Sequence, residues 1–169
     1  LRELADNGTV PLYLMQLGAL GASTAADVEP AQLSYLRNLI LATAERGGFV
    51  DKSRSEPLQA SVAVAANTGL ALLDQNAAPI VSTRGLRPDP EIRRAAAEVV
   101  KTGKRATAGI YLNAANKPVV AFLTPVFALQ DQRKRGAPIG VIVGVKKAED
   151  ELFPLLIRQA RISETEETL

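Results

Sequence analysis

The second half of the chain is a series of short apolar runs separated by small or polar turns. Residues 75–77 join two of these runs and residues 114–117 join another two. A short polar turn between apolar runs is typical of a β-hairpin. The spacing of the runs predicts five strands, at residues 69–74, 78–83, 107–113, 118–127 and 138–145.

One helix is predicted between the second and third of these strands. Asp89 is a good N-cap, Pro90 suits the first helical position, and Glu91 suits the positive end of the helix dipole. Gly103 then closes the helix. The order ββαβββ favours the α+β class, with a five-stranded antiparallel sheet and one crossover helix.

Helical patterns precede the sheet. Residues 1–20 form a helical candidate that is interrupted near residues 8–11, and a third helix is predicted from Pro57. Between them, Pro30 opens a second helix that ends at the glycines 47–48. Because a half-buried sheet needs a partner, we expect one helix to cover one sheet face. The periodic positions of the first two helices are Leu12, Met15, Gln16, Ala19 and Leu20, and then Leu33, Leu36, Arg37, Ile40, Leu41 and Ala44.

Composition removes several kinds of chemistry. The chain has no Cys and no His, so it cannot form the usual zinc sites, an imidazole-based triad, or a His- or Cys-ligated haem site. We therefore expect no metal and no cofactor. The net charge of +2 and the 4% aromatic content argue against a nucleic-acid partner.

No apolar run reaches the roughly 18 residues that would span a bilayer. The chain begins with Leu1 rather than Met and ends in an acidic stretch, residues 164–169, with no closing element. We interpret it as a piece of a longer protein, in which contact with a membrane would come only from flanking segments absent here.

The order of elements and the hairpin at residues 72–83 resemble Cache domains, the PAS-like extracytoplasmic sensor modules of bacterial chemoreceptors, histidine kinases and diguanylate cyclases. In that family the hairpin reads as an aspartate, a glycine turn, and a strand ending in Ser or Thr. Here residues 75–77 replace the glycine turn between Asp74 and Thr83. The resemblance covers about residues 30–156.

The resemblance implies a division of the chain and a role. Residues 1–56 would be an N-terminal helical region, residues 57–158 a PAS-like sensor core that ends in a short amphipathic helix, and residues 159–169 a linker to a following module. The protein would be a periplasmic, non-catalytic ligand sensor in the inner membrane. It would form a homodimer through the N-terminal helices of the full-length protein.

Strand alternation then predicts ligand-binding residues. On the third strand, Thr107 and Tyr111 share a face with Gly109, whereas Ala108, Ile110 and Leu112 share the other and are expected to form core.

On the fourth strand, Phe122 and Thr124 share a face. The resemblance places the cavity beside the loop after the second strand, where Arg84 could bind a carboxylate or a phosphate through two hydrogen bonds. Lys104 and Arg105 precede the third strand. Because no aspartate can be assigned to a ligand amine, the sequence favours an anionic ligand, such as a carboxylate, or a neutral one.

Each of these residues also has a purely structural interpretation. Arg84 would be a solvated loop residue, Tyr111 a packed aromatic, and Thr107 and Thr124 ordinary strand residues with good β-propensity. For the whole chain, the alternative is a cytoplasmic PAS- or profilin-like interaction or dimerisation domain. A small enzyme would need Asp, Glu, Lys, Ser or Tyr chemistry alone, and no suitable pairing stands out.

Overall fold

The computed structural model describes residues 1–20, 30–50, 68–83, 86–129 and 136–150. Its centre is a five-stranded sheet in the order β2-β1-β5-β4-β3, in which every neighbouring pair is antiparallel. The predicted α+β class and the antiparallel five-stranded sheet are therefore confirmed. The strands are β1 (Gly69–Asp74), β2 (Pro79–Ser82), β3 (Ala106–Leu112), β4 (Pro118–Val126) and β5 (Gly140–Lys147).

The two predicted hairpins close with the same local chemistry. The Asp74 carboxylate accepts hydrogen bonds from the Asn76 and Ala78 amides, both at 2.8 Å. Asn113 does the same in the second hairpin, where its side-chain oxygen accepts from the amides of residues 115 and 117 at 3.0 Å. The fourth residue of each turn has a positive φ, which is 59° at Ala77 and 56° at Asn116. Side-chain acceptors of this kind substitute for backbone acceptors and fix the turn.

Four helices complete the described part of the chain: α1 (Arg2–Ala5), α2 (Thr9–Leu20), α3 (Pro30–Arg46) and α4 (Pro90–Thr102). The predicted caps of α4 are confirmed. Asp89 accepts a hydrogen bond from the Ile92 amide at 2.9 Å, and Gly103 closes the helix at φ 65° with its amide bonded to the Val99 carbonyl. The predicted interruption of the first helix also occurs, since α1 ends before α2 begins at Thr9.

Both sides of the sheet are covered. On one side, which we call the N-terminal-helix face, Leu70, Leu72 and Ile142 pack against α1, α2 and α3. On the other side, the α4 face, Leu73 and Val143 pack against α4. The helical residues in these two layers include Val10, Leu14, Leu36 and Ile40 on the first face and Ile92, Ala96 and Val99 on the second.

The structure corrects the predicted faces of β3. Ala108 pairs with Ala121, but the next paired residue on that side is Tyr111, opposite Val119, because the register shifts between Ala108 and Tyr111. Such a bulge reverses the alternation beyond it. Ala108 is buried as predicted, whereas Ile110 and Leu112 were predicted as core and are each 62% exposed.

The predicted helix faces need a similar correction. In α2, Leu12 is 49% exposed, while Val10, Tyr13 and Leu14 are buried. In α3, the core positions are Leu36, Ile40 and Ala44, whereas Leu41 is 46% exposed and Arg37 is also exposed. The predicted helices at residues 57–67 and 152–156, and the linker at residues 159–169, lie outside the described residues.

Candidate functional site

Three of the five predicted ligand-binding residues come together on the N-terminal-helix face. Thr107 of β3 pairs directly with Phe122 of β4, and Thr124 lies two residues further along β4. Because side chains two apart on a strand project from the same side, the three form a continuous strip at one end of the sheet. Thr124 is buried, Phe122 is half-buried and Thr107 is exposed.

This strip forms one wall of an open groove of about 370 Å³ between the sheet and α1. Phe49, which follows α3, and Lys146 of β5 lie on its floor beside Phe122. Arg2 of α1 and Arg105 stand at its rim. The described residues that line the groove are Leu1, Arg2, Phe49, Arg105, Ala106, Thr107, Phe122, Leu123, Thr124 and Lys146.

The charges in the groove have one sign. Arg2, Arg105 and Lys146 line it, and the described lining residues include no Asp or Glu. Lys146 is also placed over the Phe49 ring, with its Nζ atom 4.8 Å from the ring centroid, a cation–π distance. The arrangement favours a negatively charged group, and both arginines could bind a carboxylate through two parallel hydrogen bonds.

A smaller recess of about 120 Å³ adjoins the groove. The two share Arg2, Arg105 and Thr124, and the recess adds Asp6 from the end of α1 and Phe127 from the end of β4. The three shared residues therefore mark a corner that faces both spaces. We call Arg2, Arg105 and Thr124 the basic corner.

Gly144 of β5 leaves room for the Phe49 ring at the floor of the groove. A Cβ atom at Gly144 of β5 would lie 2.9 Å from Phe49 Cζ and 3.1 Å from a methyl carbon of Leu1. These separations are shorter than ordinary van der Waals contact, so only glycine lets the Phe49 ring rest directly on β5. The spacing of Gly140 and Gly144, which could suggest a membrane helix pair, belongs to a strand as predicted.

Tyr111 lies on the opposite side of the sheet from this groove. The bulge turns it to the α4 face, where it packs against the core layer that includes Ile92. Its hydroxyl is buried and makes no hydrogen bond of good geometry, although the Asp89 carboxylate lies close enough to act on it. Burial, and then the Asp89 charge, raise the pKa of the Tyr111 hydroxyl well above its ordinary value.

The predicted set of binding residues is therefore divided. Thr107, Phe122 and Thr124 line one groove, Tyr111 lies on the other face, and Arg84 falls outside the described residues. Phe49, Lys146 and Arg2 also line the groove and were not among the predicted residues. Lys146 could have been predicted to share a sheet face with Gly144, because residues two apart on a strand project from the same side.

Two further observations bear on the kind of site. Within the described ranges, no group of His, Cys, Asp and Glu side chains could hold a metal ion. Among the same residues, no helix combines the length and the apolar character needed to cross a membrane.

Comparison with protein families finds no family model that matches the chain, and no curated protein sequence matches it. Solved structures do resemble it. The sensory domain of the Campylobacter jejuni chemoreceptor Tlp3 with isoleucine bound aligns at a TM-score of 0.47 and 14% identity, covering 88% of this chain and 58% of that domain. An extracellular ligand binding receptor from Desulfohalobium retbaense aligns at 0.44 and 9% identity, covering 88% of this chain and 24% of the receptor.

The ligand binding domain of the Pseudomonas aeruginosa amino acid chemoreceptor PctC, in complex with GABA, aligns at a TM-score of 0.34 and 19% identity. That alignment covers 83% of this chain and 62% of the PctC domain. This chain thus spans less than two thirds of each of these structures.

Proposed function

We propose that this chain is an extracytoplasmic sensor domain of a bacterial transmembrane signalling protein, and that it binds a small molecule in the groove on its N-terminal-helix face. The observation that carries this proposal is the juxtaposition of Thr107, Phe122 and Thr124 with three cationic side chains around one open space. A concave surface with an apolar floor and a few convergent polar groups is the usual form of a small-molecule site.

The ligand is a carboxylate or another anion. Arg2, Arg105 and Lys146 supply positive charge, and Thr107 and Thr124 supply hydroxyl groups that can donate a hydrogen bond to an oxygen. The domain itself is non-catalytic, and any catalytic output belongs to another part of the parent protein. The structures with isoleucine and GABA bound come from proteins of this receptor class, which supports a small organic ligand.

The parent protein would carry this domain in the periplasm and would dimerise through its N-terminal helices. An alkaline phosphatase fusion tests the location, because that enzyme is active only outside the cytoplasm. Full phosphatase activity of a fusion at this domain is expected. A fusion that is inactive although it accumulates normally would favour the cytoplasmic interaction domain instead.

Ligand binding is tested by a thermal-shift screen of organic acids, amino acids, sugars and amines with the chain as it stands. A true ligand stabilises the folded state by about 2.7 kcal/mol at one hundred times its dissociation constant. A screen in which no class of compound raises the melting temperature would contradict the sensor proposal.

Site-directed changes then locate the binding. Thr124→Val keeps the shape of the side chain but removes its hydroxyl from the groove, so it should reduce the stabilisation by the ligand. Thr102→Val is a matched control, because Thr102 is an exposed residue at the end of α4 whose hydroxyl bonds only to backbone groups of its own segment. Equal ligand responses in the two variants would place the binding elsewhere.

A further inference from the structure

The basic corner is the place where an anionic group would be held. Arg2, Arg105 and Thr124 line both the groove and the adjoining recess, so two guanidinium groups and one hydroxyl belong to the side chains around this corner. Guanidinium groups bind carboxylates in a planar, two-point geometry that a lone ammonium does not offer. Lys146 lines the groove but not the recess, and its Nζ atom lies over the Phe49 ring.

The other half of the groove is mainly apolar, with Lys146 over the Phe49 ring as its charged group. Phe49 is buried and Phe122 half-buried, and both pack into the hydrophobic layer under the N-terminal helices. A hydrocarbon chain that extends from the basic corner over these rings would leave water, and burial of apolar surface is favourable. The two halves together match a molecule with an anionic head and an apolar body.

Among its described lining residues, the groove itself offers no carboxylate to a ligand ammonium. The described residues that line it are cationic, hydroxylic or apolar, and three of them carry positive charge. The nearest carboxylate among the described residues of the two spaces is Asp6, which lines the recess together with the two arginines. An α-ammonium on the groove side of a bound carboxylate would therefore lie among cationic, hydroxylic and apolar side chains, and like charges repel.

We propose that the groove selects a monocarboxylate with an apolar chain, and that it discriminates against the same molecule carrying an α-ammonium. The inference rests on the proposed function, because it takes the groove as the ligand site of the sensor. The proposed class of ligand is thereby restricted from anions in general to fatty-acid-like or aryl carboxylates.

Four related probes test this with the unmodified chain: hexanoate, hexanamide, norleucine and acetate. Hexanoate is expected to bind at least tenfold more tightly than hexanamide, which lacks the charge, and than norleucine, which adds the ammonium. Acetate should bind about tenfold or more weakly than hexanoate, because it has no apolar chain to cover the rings. The dissociation constants can be measured by isothermal titration calorimetry.

The variants identify the binding groups. Arg105→Gln should raise the dissociation constant for hexanoate about tenfold, whereas Arg93→Gln, an exposed arginine of α4 outside the groove, should not change it. Asp6→Asn should not weaken hexanoate binding, because it removes a negative charge from the recess that adjoins the anion. Because these residues are exposed, each variant is expected to keep the melting temperature of the parent chain, which is checked first.

Three results would overturn the inference. The first is norleucine binding as tightly as hexanoate and losing its affinity in Asp6→Asn, which would make the site a zwitterion site. The second is equal binding of hexanoate by Arg105→Gln and the parent chain. The third is no heat or stabilisation from hexanoate at any soluble concentration while another compound class gives a hit in the wider screen. In that case the sensor proposal stands and the ligand class is wrong.

Discussion

At the scale of single residues, Tyr111 is a buried hydroxyl beside a carboxylate. Its ionised form is disfavoured in the folded chain by burial and by Asp89, so the folded-state pKa lies above that of the unfolded chain. The contribution of the Tyr111 hydroxyl to the free energy of unfolding is fully present below the pKa of a tyrosine in the unfolded chain, near 10. It is lost as the pH rises through the folded pKa, because the unfolded chain then releases a proton that the folded chain retains.

We therefore expect Tyr111→Phe to weaken the loss of stability at alkaline pH. The difference in slope should be less than the ~1.4 kcal/mol per pH unit of a fully shifted group, because Tyr111 is only partly buried. Urea denaturation at pH 8 and at successive pH values above 10 measures it. Tyr35→Phe is the control, since Tyr35 is 54% exposed. Parallel curves for Tyr111→Phe and the parent chain would contradict this account.

Individual residues also show what the sequence alone can predict. Asp74, Asp89 and Gly103 act through hydrogen bonds or backbone angles within a few residues of themselves, and all three were predicted correctly. The location of Tyr111 depends instead on how β3 aligns with β4. A shift of one residue reverses the face, and that alignment is set by the pairing with β4 rather than by bonds within β3.

At the scale of elements, the bulge in β3 decides which residues belong to the core. Sequence alternation put Ile110 with Ala108 in the core, but the shifted register leaves Ile110 exposed at an edge strand. Gly109 was the available signal, because a glycine inside a strand pattern often marks a bulge. The prediction that Phe122 and Thr124 share a face is confirmed, because β4 pairs with β5 without any shift.

The bulge predicts a large difference between two isoleucines. Ile110→Ala should change the free energy of unfolding by no more than about 0.5 kcal/mol, as is usual for an exposed position. Ile142→Ala should cost about 2–5 kcal/mol, because Ile142 is 1% exposed at the centre of the sheet. Urea titrations of both variants give the comparison. A cost for Ile110→Ala close to that of Ile142→Ala would show that the regular alternation of β3 is correct after all.

A second pair of variants tests the glycine beneath the groove. Gly144→Ala should destabilise the chain by about 1–3 kcal/mol, because the new methyl group must displace the Phe49 ring. Gly109→Ala should have an effect within about 0.5 kcal/mol, since a Cβ at Gly109 would meet no atom within 4 Å. Thermal and urea unfolding of both variants provide the test. If Gly144→Ala is as stable as Gly109→Ala, the ring does not rest on β5 as described.

At the scale of the whole molecule, the groove lies between two layers that are otherwise held together by apolar packing. Arg2 belongs to α1, a helix of four residues, whereas Arg105 and Thr124 belong to the sheet side. A ligand at the basic corner would therefore contact both layers at once. A ligand can shift a conformational equilibrium only by its differential affinity for the states, and contacts to both layers provide such a difference.

This position predicts that an anionic ligand protects α1 from hydrogen exchange more than it protects α4. A helix of only four residues opens at low free energy, so a contact that holds Arg2 against the sheet should slow exchange of the hydrogen-bonded amides of residues 5–7 severalfold. The amides of α4 lie across the sheet and should change little. Hydrogen–deuterium exchange with mass spectrometry, with and without saturating hexanoate, resolves the two segments. Arg105→Gln at the same hexanoate concentration is the control, and its α1 protection should fall in proportion to the lost occupancy. Protection that appears first in α4, or equally in every element, would mean that the ligand stabilises the fold without joining the two layers at this corner.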